Sequence, residues 1–180
     1  VIVYSNNIRW ENVPLCGAVQ ERLGLPVCIT NDANAAALGE HFCGAGKQFG
    51  SMVFITLGTG VGGGVILNGG LFEGFRSAGG EIGHMVIERG GWDCTCGRKG
   101  CFEAYASATG LIRRTRESME AHKDSAMWKI ADSLENVDGK TAFDGMRAGD
   151  AAAKQVVDEY ISYLAEGVIN LVNIFRPEAT

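Results

Sequence analysis

Three of the six cysteines of the chain lie within eight residues, in the segment CTCGRKGC at 94–101. Thiolates are soft ligands that suit zinc, and Gly97 and Gly100 allow the loop to fold back so that the sulfur atoms converge. A closed tetrahedral site needs a fourth ligand, and His84 lies ten residues upstream. The spacing favours a zinc site, with a disulfide or reduced, incidental cysteines as the alternatives. The ligands of that zinc site would be His84, Cys94, Cys96 and Cys101.

A glycine-rich turn, LGTGVGGG at 57–64, lies between two β-branched runs. The backbone N–H groups of Gly58, Thr59 and Gly60 can line an anion-binding nest, and glycine lets a phosphate approach closely. The segment is not a Walker A loop, because no Lys-Ser or Lys-Thr pair follows, and no helix pattern follows to complete a dinucleotide fingerprint. Two interpretations remain: a phosphate-binding hairpin like that of sugar kinases and actin-like ATPases, or a tight turn without a ligand.

Asn31 and Asp32 directly follow the apolar run PVCIT at 26–30, which predicts a buried strand. Open α/β sheets bind ligands outside the carboxyl ends of their strands. An aspartate there can accept the proton of a substrate hydroxyl that attacks a phosphoryl group. The alternative, which is the commoner role for an aspartate at a helix start, is that Asp32 caps the helix.

Further polar residues flank the cysteine cluster. Glu81 and His84 lie in GGEIGH at 79–84, a segment with too many glycines for a helix, and Glu103 follows the last cysteine by two residues. A metal ion bound by His84 and the three cysteines would hold His84 and Glu103 close together. The loop is therefore a predicted scaffold for polar groups, although Glu103 considered alone is better explained as a surface charge.

Hydrophobic periodicity predicts a mixed α/β chain. The helix–strand–helix order at 12–42 is typical of a parallel sheet, and the runs around the glycine-rich turn indicate an antiparallel meander. A boundary is expected near residues 30–32. The predicted strands are 1–4, 26–30, 51–58, 64–69 and 84–88, and the predicted helices are Asn12 (as N-cap) to Gly24, 31–42, a helical region from 102, and 150–175 ended by Pro177.

The composition of the chain excludes several classes of protein. It is 46% hydrophobic and 21% charged, which allows a packed core. The net charge of −5 and the lack of a long basic run disfavour a nucleic-acid surface. No apolar run is long enough for a membrane span and no signal-peptide pattern is present, so we expect a cytoplasmic protein.

Taken together, these segments resemble the ROK family, whose name stands for repressors, open reading frames and sugar kinases. The resemblance covers nearly the whole chain in order, and the cysteine loop is highly specific. The segments that carry it are SNNIRWENVPL (5–15), NDANAAALGE (31–40), LGTGVGGG (57–64), GGEIGH (79–84), CTCGRKGCFE (94–103) and NLVNIFRPE (170–178).

The resemblance implies a two-lobed actin/hexokinase-like (ribonuclease H-like) α/β fold with the sugar bound between the lobes. Residues 1–31 would be a remnant of the small N-terminal lobe, and residues 32–180 would be the large C-terminal lobe with a zinc loop at 84–103. The family's N-terminal Asp-x-Gly-Gly-Thr segment and its closing strand and Gly-Gly turn are absent. The chain is therefore expected to be truncated at both ends and poorly active alone.

The activity implied by the resemblance is ATP-dependent phosphorylation of a hexose, with glucose as the first candidate. Asp32 would be the general base, and Gly58, Thr59 and Gly60 would face the phosphates of ATP, which brings Mg²⁺. Zinc would be structural, and one ring nitrogen of His84 would bind it while the other meets the sugar. The sugar hydroxyls would be bound by Asn31, Asp32, Glu81, His84 and Glu103.

Two rival interpretations remain open. The first is the sugar-sensing effector domain of a ROK-type repressor, for which nucleic acid would be a partner only if a helix-turn-helix lies upstream. The second is a zinc-stabilised binding module without catalysis. The resemblance also implies a homodimer or homotetramer, and the sequence leaves the identity of the hexose undecided.

Overall fold

The computed structural model describes residues 2–4 and 10–180, and the chain divides into two compact units, Val1–Asp32 and Ala33–Thr180. Val1 of the predicted first strand and residues 5–9 of the first family segment lie outside the described residues. Among the described residues, no helix has the length and apolarity that crossing a bilayer would require.

The first unit contains a two-stranded antiparallel sheet followed by a helix. Strands β1 (Ile2–Tyr4) and β2 (Glu11–Val13) pair with Ile2 opposite Val13. Helix α1 (Leu15–Leu23) ends at Gly24, which has a φ of 65° and donates its N–H to the Gln20 carbonyl oxygen at 2.9 Å. The predicted first strand and the glycine end of the helix are confirmed.

Two predictions for the first unit are wrong. Asn12 does not cap α1, because pairing with β1 takes it into β2, and Pro14 occupies the N-cap. Residues 26–30 form no strand, since no described segment pairs with them and a strand needs a hydrogen-bonded neighbour. Ile29 in that run is 44% exposed rather than buried.

The second unit begins within helix α2 (Asp32–Cys43), and a three-stranded antiparallel sheet follows. Its strands are β3 (Met52–Leu57), β4 (Val61–Leu67) and β5 (Gly70–Leu71), in that order. This sheet confirms the predicted meander. The predicted parallel sheet is wrong, because both described sheets are antiparallel. Within residues 2–4 and 10–180, parallel pairing is limited to one bridge between Met52 and Ala179.

Helix α2 packs closely on β4 because glycine occupies the contact. A Cβ atom on Gly64 would lie 2.3 Å from the Ala37 Cβ and 3.1 Å from the Ala33 carbonyl oxygen. Both alanines are buried. Any larger residue at Gly64 would therefore push the helix away from the sheet.

Five further α-helices follow in the unit: α3 (Phe102–Ala106), α4 (Ala108–Ala121), α5 (Met127–Ala131), α6 (Thr141–Arg147) and α7 (Ala151–Phe175). Helix α7 confirms the predicted long helix, and its N-cap Asp150 accepts a hydrogen bond from the Ala153 N–H at 2.8 Å. The strand predicted at 84–88 is wrong: a 3-10 turn covers Ile82–His84, and a single bridge joins Val86 to Cys101. The segment that pairs with Val86 is the end of the cysteine loop. This loop turns at Gly100, which has a φ of 77°, so the pairing does not extend into a strand.

The sheet and α7 share a core, which gives a stability prediction. Leu171 is 1% exposed and packs with Val53, Val65 and Ile82, so Leu171→Ala should destabilise the protein by about 2–5 kcal/mol. Ile169 on the same helix is 52% exposed, and Ile169→Ala should change stability by about 0.5 kcal/mol or less. Denaturant unfolding of both variants measures the difference, and equal losses would contradict the packing.

Candidate metal centre and phosphate-binding turn

The four predicted zinc ligands come together in the second unit. The ligand atoms of His84, Cys94, Cys96 and Cys101 all lie within 4.8 Å of one another. Cys94 Sγ is 3.6 Å from His84 Nδ1, and Cys96 Sγ is 3.7 Å from Cys101 Sγ. Zn–S bonds of about 2.3 Å and Zn–N bonds of about 2.0–2.1 Å place tetrahedral ligand atoms about 3.5–3.8 Å apart. Both separations fit the edges of a zinc tetrahedron.

A disulfide does not join these cysteines. All three are free thiols, and the 3.7 Å between Cys96 Sγ and Cys101 Sγ is far longer than the bond of about 2.05 Å in a disulfide. Cys43 is also a free thiol, but it is exposed and lies outside the cluster.

The cysteine loop turns at the two glycines that the sequence indicated. Gly97 and Gly100 have φ values of 85° and 77°, in the left-handed region that favours glycine. The Gly97 N–H donates to the Cys94 carbonyl oxygen at 3.0 Å, and the Cys94 N–H donates to the Arg98 carbonyl oxygen at 2.9 Å. A Cβ on Gly100 would lie 1.7 Å from the Glu88 carbonyl oxygen, so this position accepts glycine alone.

The thiols of the cluster differ in acidity. Burial raises the pKa of the Cys101 thiol to about 12, and hydrogen bonds with Cys96 and Cys94 add to the effect. A hydrogen bond from the Arg98 backbone lowers the pKa of Cys96. A bound cation would favour the thiolate form that Cys101 does not otherwise adopt, so its burial fits a metal ligand rather than a reactive thiol.

An aromatic stack fixes the cysteine loop to the helices behind it. The Trp92 ring lies parallel to the Tyr105 ring at 4.8 Å, and the backbone N–H of Trp92 donates to the Tyr105 hydroxyl at 2.7 Å. The guanidinium of Arg113 lies 4.1 Å from the centre of the Trp92 ring. These contacts join the start of the loop to α3 and α4.

Glu103 connects the cysteine loop to the glycine-rich turn. Its Oε2 accepts a hydrogen bond from the Val61 N–H at 3.0 Å, and its Oε1 accepts one from the Thr95 hydroxyl at 3.3 Å. Cys94 Sγ lies 3.9 Å from the same Oε1. Interpreting Glu103 as a surface charge is therefore wrong, because both carboxylate oxygens have protein partners and the residue is half-buried.

The glycine-rich turn joins β3 to β4 through Gly58, Thr59 and Gly60. A Cβ on Gly60 would lie 2.2 Å from Glu103 Oε2, so any side chain there would displace the carboxylate from this position. A Cβ on Gly58 would meet no atom of the described chain within 4 Å, and its φ is not positive. Packing and backbone conformation therefore leave the glycine at position 58 without an explanation.

No sequence pattern indicated the residues at the start of α4 that hydrogen-bond to this turn. The Ala108 N–H donates to the Gly58 carbonyl oxygen at 2.8 Å, and the Thr109 hydroxyl donates to the Thr59 carbonyl oxygen at 2.8 Å. Thr109 lies 50 residues from its partner. No local motif encodes a contact of that separation.

The other predicted site residues lie as follows. Glu81 is exposed at the start of the 3-10 turn, and its carbonyl oxygen accepts the His84 N–H at 3.1 Å. His84 and Glu103 both lie against Cys94. Asn31 and Asp32 belong to the first unit, and Asp32 is the first residue of α2. Their roles, and that of Glu81, stay predictions.

Comparison with known proteins identifies the family. The ROK family matches residues 1–180. A glucokinase of Thermotoga maritima is 44% identical over 179 residues, which are 99% of this chain and 56% of that protein. A xylose repressor of Bacillus spizizenii is 33% identical over 180 residues, 99% of this chain and 42% of that protein.

Comparison with a solved structure shows that the chain also shares the fold of this family. The ROK family glucokinase from Streptomyces griseus, crystallised with glucose and AMPPNP, superposes with a TM-score of 0.86 at 36% identity. The match covers 98% of this chain and 57% of that one, so the chain spans about half the length of the relatives it matches. The predicted actin/hexokinase-like fold class is confirmed, and the chain belongs to the ROK family.

Proposed function

We propose that this chain is part of an ATP-dependent hexose kinase that converts glucose to glucose 6-phosphate. The observation that carries the proposal is the pair of hydrogen bonds that the Glu103 carboxylate accepts, one from the Val61 N–H beside the glycine-rich turn and one from the Thr95 hydroxyl of the cysteine loop. A kinase must hold a sugar hydroxyl against a phosphoryl group. Glu103 connects the turn proposed to bind the phosphates with the loop proposed to lie beside the sugar, so it suits that task. The 44% identity with a glucokinase supports the same activity.

In the proposed reaction, Asp32 accepts the proton of the attacking sugar hydroxyl. The hydroxyl oxygen forms a bond to the γ-phosphorus while the bond from that phosphorus to the β–γ bridging oxygen breaks, and ADP leaves. ATP would be bound as its Mg²⁺ complex, in which the cation would offset part of the charge of the phosphates. In the turn at Gly58, Thr59 and Gly60, the backbone N–H groups of Thr59 and Gly60 would bind the phosphate oxygens. The Gly58 N–H donates to the Gly60 carbonyl oxygen at 3.0 Å, so Gly58 would contribute by letting the phosphate approach the backbone closely.

The proposed sugar ligands are Asn31, Glu81, His84 and Glu103, together with Asp32. His84 Nδ1 faces Cys94 Sγ, which leaves Nε2 for a sugar hydroxyl. If Nδ1 held the zinc ion, the ring proton would be on Nε2, and His84 would donate a hydrogen bond from Nε2 to the sugar.

We also infer a structural zinc ion held by His84, Cys94, Cys96 and Cys101. The two ligand separations near 3.6–3.7 Å and the burial of Cys101 support this assignment. Four protein ligands leave no open coordination position, so the ion would stabilise the loop and not activate water.

Gly58 offers a test of the phosphate turn that is separate from stability. Gly58→Ala meets no described atom within 4 Å and should leave the melting temperature unchanged. The added methyl group would obstruct a phosphate that approaches the backbone, so we expect the KM for ATP to rise about tenfold or more. Steady-state kinetics measure this. An unchanged KM for ATP would show that the turn does not contact the nucleotide.

A coupled assay of ADP release over a panel of sugars tests the whole proposal. Glucose should give the highest kcat/KM, and N-acetylglucosamine, N-acetylmannosamine, fructose and allose are the competitors, since single contacts decide among such sugars. Xylose belongs in the panel because it lacks the terminal hydroxymethyl group of glucose. Release of ADP that no sugar accelerates would contradict a kinase.

The second candidate is a sugar-sensing effector domain of a ROK-type repressor, which the 33% identity with a xylose repressor favours. A sensor would bind a sugar without consuming ATP, and titration calorimetry in the presence of Mg·ATP separates binding from turnover.

For the kinase we propose a cytoplasmic location and a homodimer or homotetramer, and size-exclusion chromatography with light scattering measures the assembly.

A further inference from the structure

The N-terminal end of α4 holds two successive carbonyl groups of the glycine-rich turn. The Ala108 N–H donates to the Gly58 oxygen at 2.8 Å, and the Thr109 hydroxyl donates to the Thr59 oxygen at 2.8 Å. The start of α4 is itself fixed, because the N-cap Ser107 accepts a hydrogen bond from the Gly110 N–H at 3.0 Å. The turn therefore rests on a rigid helix end.

Because a peptide group is planar, these two hydrogen bonds also determine the direction in which the N–H groups of the turn point. In a planar trans peptide, the C=O of one residue and the N–H of the next point in opposite directions, and the described chain contains no cis peptide. Holding the Gly58 carbonyl thus orients the Thr59 N–H away from α4. Holding the Thr59 carbonyl orients the Gly60 N–H in the same sense.

We propose that Thr109 is a positioning residue for the nucleotide: its hydroxyl fixes the peptide that presents the Gly60 N–H to a phosphate oxygen of Mg·ATP. This inference rests on the proposed kinase function, in which the turn binds the phosphates. The Thr109 hydroxyl is engaged by the Thr59 carbonyl oxygen, so in the proposed site it would act through the orientation of the turn. An N–H that is already oriented pays no reorganisation cost when the anion binds.

Stability alone gives a weak explanation for this contact. Thr109 is exposed, so its hydroxyl could bond to water at little cost. Removing the hydroxyl should therefore leave the fold intact while it frees the Thr59 peptide to rotate. Thr109→Val removes the hydroxyl with little change of shape, and Thr109→Ser keeps the hydroxyl and serves as the matched control.

The test is titration calorimetry of Mg·ATP with the full-length protein, combined with the melting temperature and the KM for glucose. Thr109→Val should weaken Mg·ATP binding about fivefold, the effect of losing one orienting hydrogen bond, while Thr109→Ser stays within about twofold of wild type. The melting temperature and the KM for glucose should stay constant in both variants.

Three results would overturn the inference: Mg·ATP binding by Thr109→Val at wild-type strength, equal losses in both variants, or a parallel rise in the KM for glucose. Failure of the wild-type protein to bind Mg·ATP would overturn it as well. A wild-type protein that binds Mg·ATP but phosphorylates no hexose would contradict the kinase proposal alone, because the binding series still decides the role of Thr109.

Discussion

Asp32→Ala should lower kcat for glucose phosphorylation by about 10²–10⁴-fold, the usual contribution of a general base. The KM for glucose should change far less, because the proposed general base would act chiefly in the transition state, where the attacking hydroxyl would lose its proton. Rapid-quench or coupled assays of the purified variant measure both constants.

The matched control for this substitution is Asp124→Ala, since Asp124 is an exposed aspartate in the loop between α4 and α5. That variant should keep wild-type kinetics. If kcat of Asp32→Ala stays within about tenfold of wild type, the loss is below the usual general-base contribution and the assignment of the base is wrong. Loss of glucose affinity with unchanged kcat would leave Asp32 with the sugar-binding role alone.

The cysteine cluster carries the second large prediction. The purified protein should contain about one zinc ion per chain, and Cys101→Ala should lose most of it, because four ligands are needed to close the site. Structural zinc contributes to folding free energy, so this variant should also melt at least about 10 °C lower, which corresponds to a loss of roughly 3 kcal/mol or more at this chain length.

Elemental analysis and calorimetry measure both effects, with Cys43→Ala as the control. Cys43 is an exposed free thiol outside the cluster, so its substitution should change neither the zinc content nor the melting temperature. Protein without zinc, in which Cys94, Cys96 and Cys101 all react as free thiols, would contradict the metal site. Equal effects of the Cys43 and Cys101 substitutions would contradict it too.

Features encoded by neighbouring residues could be predicted from the sequence. The cysteine loop needs only a short spacing and two glycines in left-handed conformations, and both glycines adopt them. Helix α7 follows from a long apolar stripe with a capping aspartate at its start. Such signals are local, and distant packing does not override them.

Features that depend on distant partners could not be predicted in this way. The apolar run at 26–30 has the composition of a strand but no described neighbour to pair with, and pairing with β1 moves Asn12 from a helix cap into a strand. The hydrogen bonds of Thr109 to Thr59 and of Glu103 to Val61 join residues 50 and 42 positions apart. Residue type alone carries no signal for such contacts.

Phosphorus NMR of the purified protein with Mg·ATP and glucose tests the central claim most directly, because it follows the γ-phosphoryl group itself. The account predicts a sugar phosphate ester that appears in equal amount to ADP, and no consumption of ATP when glucose is left out. Formation of ADP with inorganic phosphate alone, or glucose binding without any loss of ATP, would contradict it.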